Sequence, residues 1–206
     1  MKYLEPVMVN VAVIYYSSTG TVAEIAGELA ETAEKAGAEV RLRPVAELAL
    51  RGAIESNPAW VAHMAATAGL TVATADDMVW ADAVIFGTPA RFGNVSSQLK
   101  QFIDTLGGLQ AKGLLADKVY SGFTSATTAH GGHEATLLAL YHSVHHFGGI
   151  LVTPGYTDQV HDNPYGTSHD DAFGAAPVGE PTRAAARAQA RRVVRFARAL
   201  ESVERR

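Results

Sequence analysis

Residues 10–20, NVAVIYYSSTG, run directly into residues 21–37, TVAEIAGELAETAEKAG, and this stretch decides the fold. Its first half is a short β-branched run, typical of a strand buried on both faces of a parallel sheet. After a polar loop, apolar residues return at helical spacing, at Val22, Ile25, Ala26, Leu29 and Ala33. The stretch therefore predicts a strand, a loop and a helix.

The loop carries four hydroxyl residues within five positions, Ser17, Ser18, Thr19 and Thr21, around Gly20. Serine and threonine are also ordinary helix N-caps, but one cap requires only one hydroxyl. Backbone N–H groups and the positive end of the helix dipole point toward the same place, which suits a bound anion. The loop therefore indicates a phosphate site.

Composition limits the class of protein. A chain of 206 residues with 48% hydrophobic and 18% charged residues fits one globular domain, which we expect to span residues 1–206. Its apolar runs are too short to cross a bilayer, and residues 1–8 lack the apolar core of a signal peptide. We expect a cytoplasmic protein.

The lack of cysteine and the net charge of the chain further limit its chemistry and its partners. Without cysteine there is no disulfide, thiolate zinc site or cysteine nucleophile. A net charge of −4 and a pI near 6.0 argue against nucleic acid as the main partner. The arginines near the end of the chain alternate with alanine at helical spacing, which is typical of a solvated helix face.

Further along the chain, strands and helices alternate. Four more strands are predicted, at residues 38–45, 82–87, 118–125 and 149–153. Thr74 and Asp77 form a capping box before a short helix, a second helix ends at Gly107 and Gly108, and the last begins at Thr182. Residues 46–74 are expected to hold a short helix and a loop. Residues 154–181 form a long polar loop insertion, of the kind that usually serves function or assembly.

This alternation predicts an α/β fold, a doubly wound, five-stranded parallel sheet in a three-layer α/β/α arrangement. In such a sheet the ligand lies outside the carboxyl ends of the strands. Three loops follow those ends, at residues 17–22, 88–94 and 125–132. We expect them to converge on one crevice.

Several familiar nucleotide sites are missing from the sequence. It contains neither G-x-G-x-x-G nor G-x-x-x-x-G-K-[ST], so neither a Rossmann dinucleotide site nor a P-loop is supported. A phosphate held by neutral hydroxyls and backbone amides suits a tightly bound mononucleotide that is not hydrolysed. The second loop, TPARFGN, offers an aromatic ring and an arginine to a flat ring system. Flavin mononucleotide (FMN) fits both the phosphate site and the loop that faces a flat ring system.

The runs YYSSTGTV, IFGTPARFGNVSSQLKQFIDTLGGL and HHFGGILVTPGY resemble the WrbA-type NAD(P)H:quinone oxidoreductases. The resemblance covers almost the whole chain, and the GTPxRFGN element is highly specific. It implies a flavodoxin-like fold, FMN as cofactor, and transfer of two electrons from NADH or NADPH to a quinone. It also implies a homotetramer in which neighbouring subunits complete each flavin pocket, with Trp60, Trp80 or Tyr165 as exposed contact residues.

The resemblance also implies particular FMN-binding residues, while the cofactor itself carries the chemistry and no side chain is assigned a catalytic role. The implied FMN residues are Ser17, Ser18, Thr19, Gly20, Thr21, Val22, Pro89, Ala90, Arg91, Phe92, Gly93, Asn94, Ser125, Ala126, Thr127, Thr128, Ala129, His130 and His146. A shift of one position in the alignment would replace His146 by His145. The substrate-side position falls on Gln110.

Three positions depart from the family pattern. Gln110 stands where the family commonly has tryptophan, and Thr19 where it usually has an aromatic residue that helps to bind the nicotinamide cofactor. Both changes remove aromatic surface that would stack on a flat substrate. The third loop has Ala126, Ala129 and His130 in place of glycines, so its backbone path is expected to differ.

Other interpretations stay open at this point. His142, His145 and His146 have the spacing of a metal clamp on a helix, but no carboxylate accompanies them, and we expect no metal site. The same fold also serves single-electron carriers, which tend to be strongly acidic, and flavin-free interaction modules.

Overall fold

The computed structural model describes residues 8–160 and 162–201. Within them, parallel strands form one sheet in the order β2-β1-β3-β4-β5, and β6 also pairs with β4. The strands are β1 (Asn10–Tyr15), β2 (Glu39–Pro44), β3 (Ala83–Pro89), β4 (Val119–Ala126), β5 (Ile150–Leu151) and β6 (Ser168–Asp170). The α-helices are α1 (Thr21–Lys35), α2 (Arg51–Glu55), α3 (Pro58–Thr67), α4 (Ala75–Trp80), α5 (Ser97–Asp104), α6 (Gly107–Gln110), α7 (His133–Phe147) and α8 (Glu180–Leu200).

Helices cover both faces of the sheet, which explains why β1 is apolar and buried from Val11 to Tyr15. Val11 and Val13 pack toward α1 and α8, whereas Ala12 and Ile14 pack toward the helices of the opposite face. Side chains alternate between the faces of a strand, so successive apolar residues of a central strand are buried against helices on opposite sides of the sheet. The predicted flavodoxin-like, three-layer architecture is confirmed.

The fifth position of the sheet is shared by two strands. β5 pairs with Val119 and Tyr120 at the start of β4, and β6 pairs with residues 124–126 at its end. Residues 152–167 are therefore inserted into the middle of the fifth strand. The segment predicted as a polar loop over 154–181 contains β6, a short 3₁₀ helix (Ala172–Gly174) and the start of α8.

Three local predictions were wrong. Residues 46–74 hold two helices, α2 and α3, and the second starts where the Asn57 side chain accepts hydrogen bonds before Pro58. Gly107 and Gly108 begin α6, while α5 ends at Asp104. The last helix begins at Glu180, two residues before the expected start, with Pro181 in its first turn. The capping box of Thr74 and Asp77 is confirmed.

No helix within the described residues is long and apolar enough to cross a membrane.

Candidate functional site

A crevice of about 820 Å³ lies at the carboxyl ends of β1, β3 and β4. Three segments meet there, as expected, and we name them the hydroxyl loop (residues 17–22), the ring-side turn (residues 89–94, without Thr88 of the expected loop, which is buried in β3) and the third loop (residues 125–132). Each follows a parallel strand, so all three emerge at the same edge of the sheet.

Hydrogen bonds tie these segments to one another. The Arg91 guanidinium donates to the Ser18 hydroxyl oxygen over 3.3 Å, which joins the ring-side turn to the hydroxyl loop. The Ala90 N–H donates to the Ser125 carbonyl over 2.7 Å, which joins the same turn to the third loop. The ring-side turn is therefore linked to both of the other segments.

The hydroxyl loop is shaped as an anion site. Gly20, at the N-cap of α1, has φ +108°, and its N–H donates to the Ser17 hydroxyl oxygen over 3.1 Å. Glycine tolerates this conformation, which a side chain would strain. No side chain caps α1, so its first-turn N–H groups and helix dipole are directed at the loop. This set of neutral donors fits the terminal phosphate of FMN.

The ring-side turn presents an aromatic residue to the crevice. Arg91 and Asn94 exchange backbone hydrogen bonds of 2.8 and 3.0 Å around Phe92 and Gly93, whose φ values are +53° and +72°. Two positive φ values in succession define a tight type I′ turn, which is costly for phenylalanine. Phe92 is fully exposed to solvent and lines the crevice. A flat ring could stack on it.

The third loop enters the crevice only in part. Ser125, Ala126, Thr127 and Gly131 line it, whereas Thr128, Ala129 and His130 do not. The loop folds back on itself, since the Gly131 N–H donates to the Thr128 carbonyl over 2.8 Å. A methyl group at Gly131 would lie 2.5 Å from the Ala126 Cβ, so the fold-back requires glycine there. Gly93 and Asn94 belong to the ring-side turn but also lie outside the lining.

A polar network lies beneath the hydroxyl loop and the ring-side turn. The Tyr16 hydroxyl, the Trp60 indole N–H and the Gln98 amide all donate to the Glu47 carboxylate, over 2.8, 3.0 and 2.8 Å. Burial raises the pKa of Glu47, but these hydrogen bonds and one from the Ala49 N–H outweigh burial and lower it. Burial, with the hydrogen bond to Glu47, strongly raises the pKa of Tyr16. Glu47 is therefore an anion that fixes three elements.

Gln110 and His146 lie away from the crevice of their own chain. Both are outside its lining, and the Gln110 amide donates to the His146 carbonyl over 3.4 Å. α7 begins beside the crevice at His133, and an α-helix rises 1.5 Å per residue, so His146 lies about 20 Å further along. The structure does not bring these two residues to the other implied FMN contacts.

The predicted contact residues are also less exposed than expected. Trp60, Trp80 and Tyr165 are all partly buried against the core. The Trp60 indole bonds to Glu47, and the Arg41 guanidinium lies 4.0 Å from the centre of the Trp80 ring. These three residues are therefore committed to contacts within the chain.

Sequence reasoning missed a further part of the crevice wall. It comes from the start of α3, from α1 and from the segment after β6, and includes Asn57, Ala59, Glu24, Asp171, Phe173, Gly174, Ala176, Pro177 and Val178. The Asn57-Pro58 pair was a usable signal for a helix start near the loop. No local signal marked residues 171–178, because their position depends on β6.

The class of protein follows from this geometry. A doubly wound sheet with the order 2-1-3-4-5 and a crevice at the ends of β1, β3 and β4 defines a flavodoxin-like protein. A solved structure agrees: the flavodoxin, WrbA-like protein from Agrobacterium tumefaciens is 25% identical, with a TM-score of 0.66, over 93% of this chain and 98% of that one.

Sequence comparisons identify the family. Residues 9–160 match the NADPH-dependent FMN reductase family. A protein of Deinococcus radiodurans named NAD(P)H dehydrogenase (quinone) is 45% identical over 190 residues, 90% of this chain and 94% of that protein. A protein of Rhodopseudomonas palustris with the same name is 38% identical over 177 residues, 85% of this chain and 83% of that protein. The chain belongs to the NADPH-dependent FMN reductase family, and its resemblance to the WrbA-type oxidoreductases is confirmed.

Proposed function

We propose that the chain binds FMN in the crevice and transfers two electrons from NADH or NADPH to a quinone. One observation carries the proposal: the hydroxyl loop, with the uncapped start of α1, and the Phe92 ring line the same crevice. The first suits a phosphate and the second a flat ring. The names of the relatives, NAD(P)H dehydrogenase (quinone), support the same reaction.

In this proposal the residues of the chain bind and orient, and none of them reacts. FMN, when bound, supplies hydride acceptance and two-electron transfer. The hydroxyls and N–H groups of residues 17–22 hold its phosphate, and the Arg91 guanidinium adds a positive charge beside them. Phe92 covers one face of the ring system and keeps water from it. The implied roles of Gly93, Asn94 and residues 128–130 stay predictions.

The first experiment is a titration of the purified protein with FMN and FAD, followed by visible absorbance and flavin fluorescence. A terminal phosphate dianion suits the hydroxyl loop better than the diester of FAD, so we expect FMN to bind more tightly. Equal affinity for FAD would contradict this placement of the phosphate. NAD(P)H should then bleach the bound flavin, benzoquinone should restore its colour, and double-reciprocal rate plots should be parallel because both substrates use one crevice in turn. Negligible turnover with quinone would favour the electron carrier.

The second experiment tests the phosphate loop itself. Replacing Ser17 and Thr19 together by alanine should weaken FMN binding by about 1–3 kcal/mol, the range for lost hydrogen bonds to a charged group. Ser56 and Thr71, two exposed residues outside the crevice, provide the matched control, and their double alanine variant should bind FMN like the wild type. An unchanged dissociation constant in the first variant would move the phosphate elsewhere.

The assembly implied by the resemblance is a second part of the proposal: a cytoplasmic homotetramer of a single domain. Gln110 and His146 lie about 20 Å from the start of α7, so any flavin they touch is held by a neighbouring copy. A pocket shared between chains couples FMN binding to association. Sedimentation at micromolar concentration should therefore show smaller species for the FMN-free protein, and FMN should restore the larger one. A monomer with FMN bound would refute the shared pocket.

A further inference from the structure

The segment after β6 forms a strained turn at the crevice, which we name the β6 turn (residues 171–174). Ala172, Phe173 and Gly174 have successive φ values of +48°, +60° and +86°. The left-handed region is unfavourable for residues other than glycine, so two such residues in sequence persist only where the surroundings hold them. Strain of this kind concentrates at functional sites.

Backbone hydrogen bonds hold the turn in this conformation. The Asp171 N–H donates to the Ala126 carbonyl over 2.9 Å, which fixes the turn to the end of β4. The Asp171 carbonyl accepts from the N–H groups of Gly174 and Ala176, over 2.8 and 2.9 Å. Val178 is buried and ends the segment in the core beside α8. The turn is therefore anchored at both ends.

This anchored turn presents an aromatic side chain to the crevice. Phe173 is 81% exposed and lines the same crevice as Phe92. An aromatic ring on a fixed backbone loses little entropy on binding, which makes such rings effective contacts for flat ligands. Phe92 belongs to the ring-side turn assigned to FMN, so Phe173 is available to a second planar group.

The charged side chains that line the crevice differ in their hydrogen-bond and ion-pair partners. Among the described lining residues, Glu24 forms an ion pair with Arg183, and Arg91 donates to Ser18. The Asp171 carboxylate accepts one long hydrogen bond of 3.4 Å, from the Gly174 N–H. Its second oxygen is therefore available to accept hydrogen bonds from a ligand. A carboxylate so placed accepts hydrogen bonds from ribose hydroxyls and repels an added phosphate group.

We propose that the β6 turn is the recognition element for the pyridine nucleotide, with Phe173 stacking on one of its flat rings and Asp171 favouring NADH over NADPH. NADPH differs from NADH by a phosphate on the 2′-hydroxyl of the ribose, where NADH has a donor. This inference rests on the proposed function, since it names the electron donor of the same crevice.

The test measures steady-state KM values for NADH and NADPH in the FMN-loaded protein, with direct nucleotide binding by calorimetry. F173A should raise KM for NADH about 5- to 20-fold, the effect of losing one stacked ring, while F173W restores it. D171N, which keeps the oxygen that accepts from Gly174, should bring the ratio of KM for NADPH to KM for NADH about tenfold closer to one. Tyr156 is 75% exposed and outside the crevice, so Y156A is the matched control.

The outcomes separate this inference from the proposed function. If F173A weakens FMN instead of NADH, Phe173 covers the flavin and the inference is overturned. Unchanged KM values in F173A, or an unchanged ratio in D171N, overturn it as well. A wild-type protein that fails to reduce quinones refutes the proposed function alone, because the calorimetric comparison of NADH with NADPH still decides whether the β6 turn binds the nucleotide.

Discussion

Replacing Glu47 by glutamine should destabilise the fold beneath the crevice, by an amount that its hydrogen bonds set. One carboxylate oxygen accepts from Leu48 N–H, Ala49 N–H and the Gln98 amide, and the other from the Tyr16 hydroxyl and the Trp60 indole. Glutamine has a single accepting oxygen. If that oxygen keeps the hydrogen bonds from Leu48, Ala49 and Gln98, the NH₂ of the new glutamine faces the Tyr16 hydroxyl and the Trp60 indole.

The two donors of the second group respond differently. The Tyr16 hydroxyl can rotate and accept from the new NH₂, but the Trp60 indole N–H is a donor only and loses its partner. A buried donor without a partner costs about 1–3 kcal/mol, and the lost charge weakens the remaining hydrogen bonds. Because Glu47 is only partly buried, water screens part of this loss. We expect E47Q to lower the free energy of unfolding by about 2 kcal/mol.

Urea denaturation followed by circular dichroism measures this change, and W60F supplies the control. Phenylalanine removes the donor that E47Q leaves unpaired, so the two substitutions should be less than additive, with a coupling of about 1 kcal/mol. If the free energy of unfolding of E47Q lies within about 0.5 kcal/mol of the wild-type value, the network does not stabilise the fold as we reason. The same holds if the effects of the two substitutions on that free energy are additive.

The difference in stability between the wild type and E47Q should also depend on pH. The pKa of Glu47 is lower in the folded protein than the ordinary value of about 4.3 in the unfolded chain. Its stabilisation is therefore complete above that ordinary value and lost as the pH falls through the lower, folded pKa. The gap in stability between wild type and E47Q should narrow below about pH 4. A gap that stays constant down to the acid transition would contradict the assignment.

Two further substitutions test the core. G87A places a methyl group 2.1 Å from the Phe123 ring, so it should cost about 3 kcal/mol or more, measured by urea denaturation, and F123L in the same chain should recover part of the loss. Lys118 is 6% exposed, and its ammonium donates to the carbonyls of Met78, Val79 and Ala81 at the end of α4. K118M leaves those carbonyls without these donors, and a loss of about 3 kcal/mol is expected by the same measurement, whereas a loss below about 1 kcal/mol would show that water replaces the ammonium.

Apolar periodicity predicted the elements whose burial is set locally. β3 and β4 are buried along their whole length and β1 from Val11 onward, and most of their residues are apolar for that reason. The hydroxyl loop and the ring-side turn were predictable because they directly follow such strands. Where a strand is long and central, sequence and position in the sheet carry the same information.

β6 could not be predicted in this way. Its sequence, Ser168–Asp170, is short and polar, and it is a strand because the end of β4 offers it a partner. Gly166 prepares that pairing, since a methyl group there would lie 2.1 Å from the Gly122 carbonyl oxygen. The position of His146 was also unpredictable from the sequence alone. It lies far from the crevice because α7 starts beside the crevice and runs away from it.

The split fifth strand joins the core to the wall of the crevice through one buried residue, Gln189 of α8. Its amide oxygen accepts from the Thr167 N–H over 2.8 Å, just before β6, and its NH₂ donates to the Ser121 hydroxyl and the Gly122 carbonyl of β4, both over 2.8 Å. The Gln189 side chain thus links β4 to the residue before β6 by hydrogen bonds. On the other side of β6, the His133 ring contacts the His169 carbonyl over 3.2 Å. β6 is held from both faces, and its next residue, Asp171, begins the turn that carries Phe173. The insertion therefore does not loosen the crevice: it allows the second half of the strand to be docked by side chains, which fixes the strained turn at the place where we infer that the nucleotide binds.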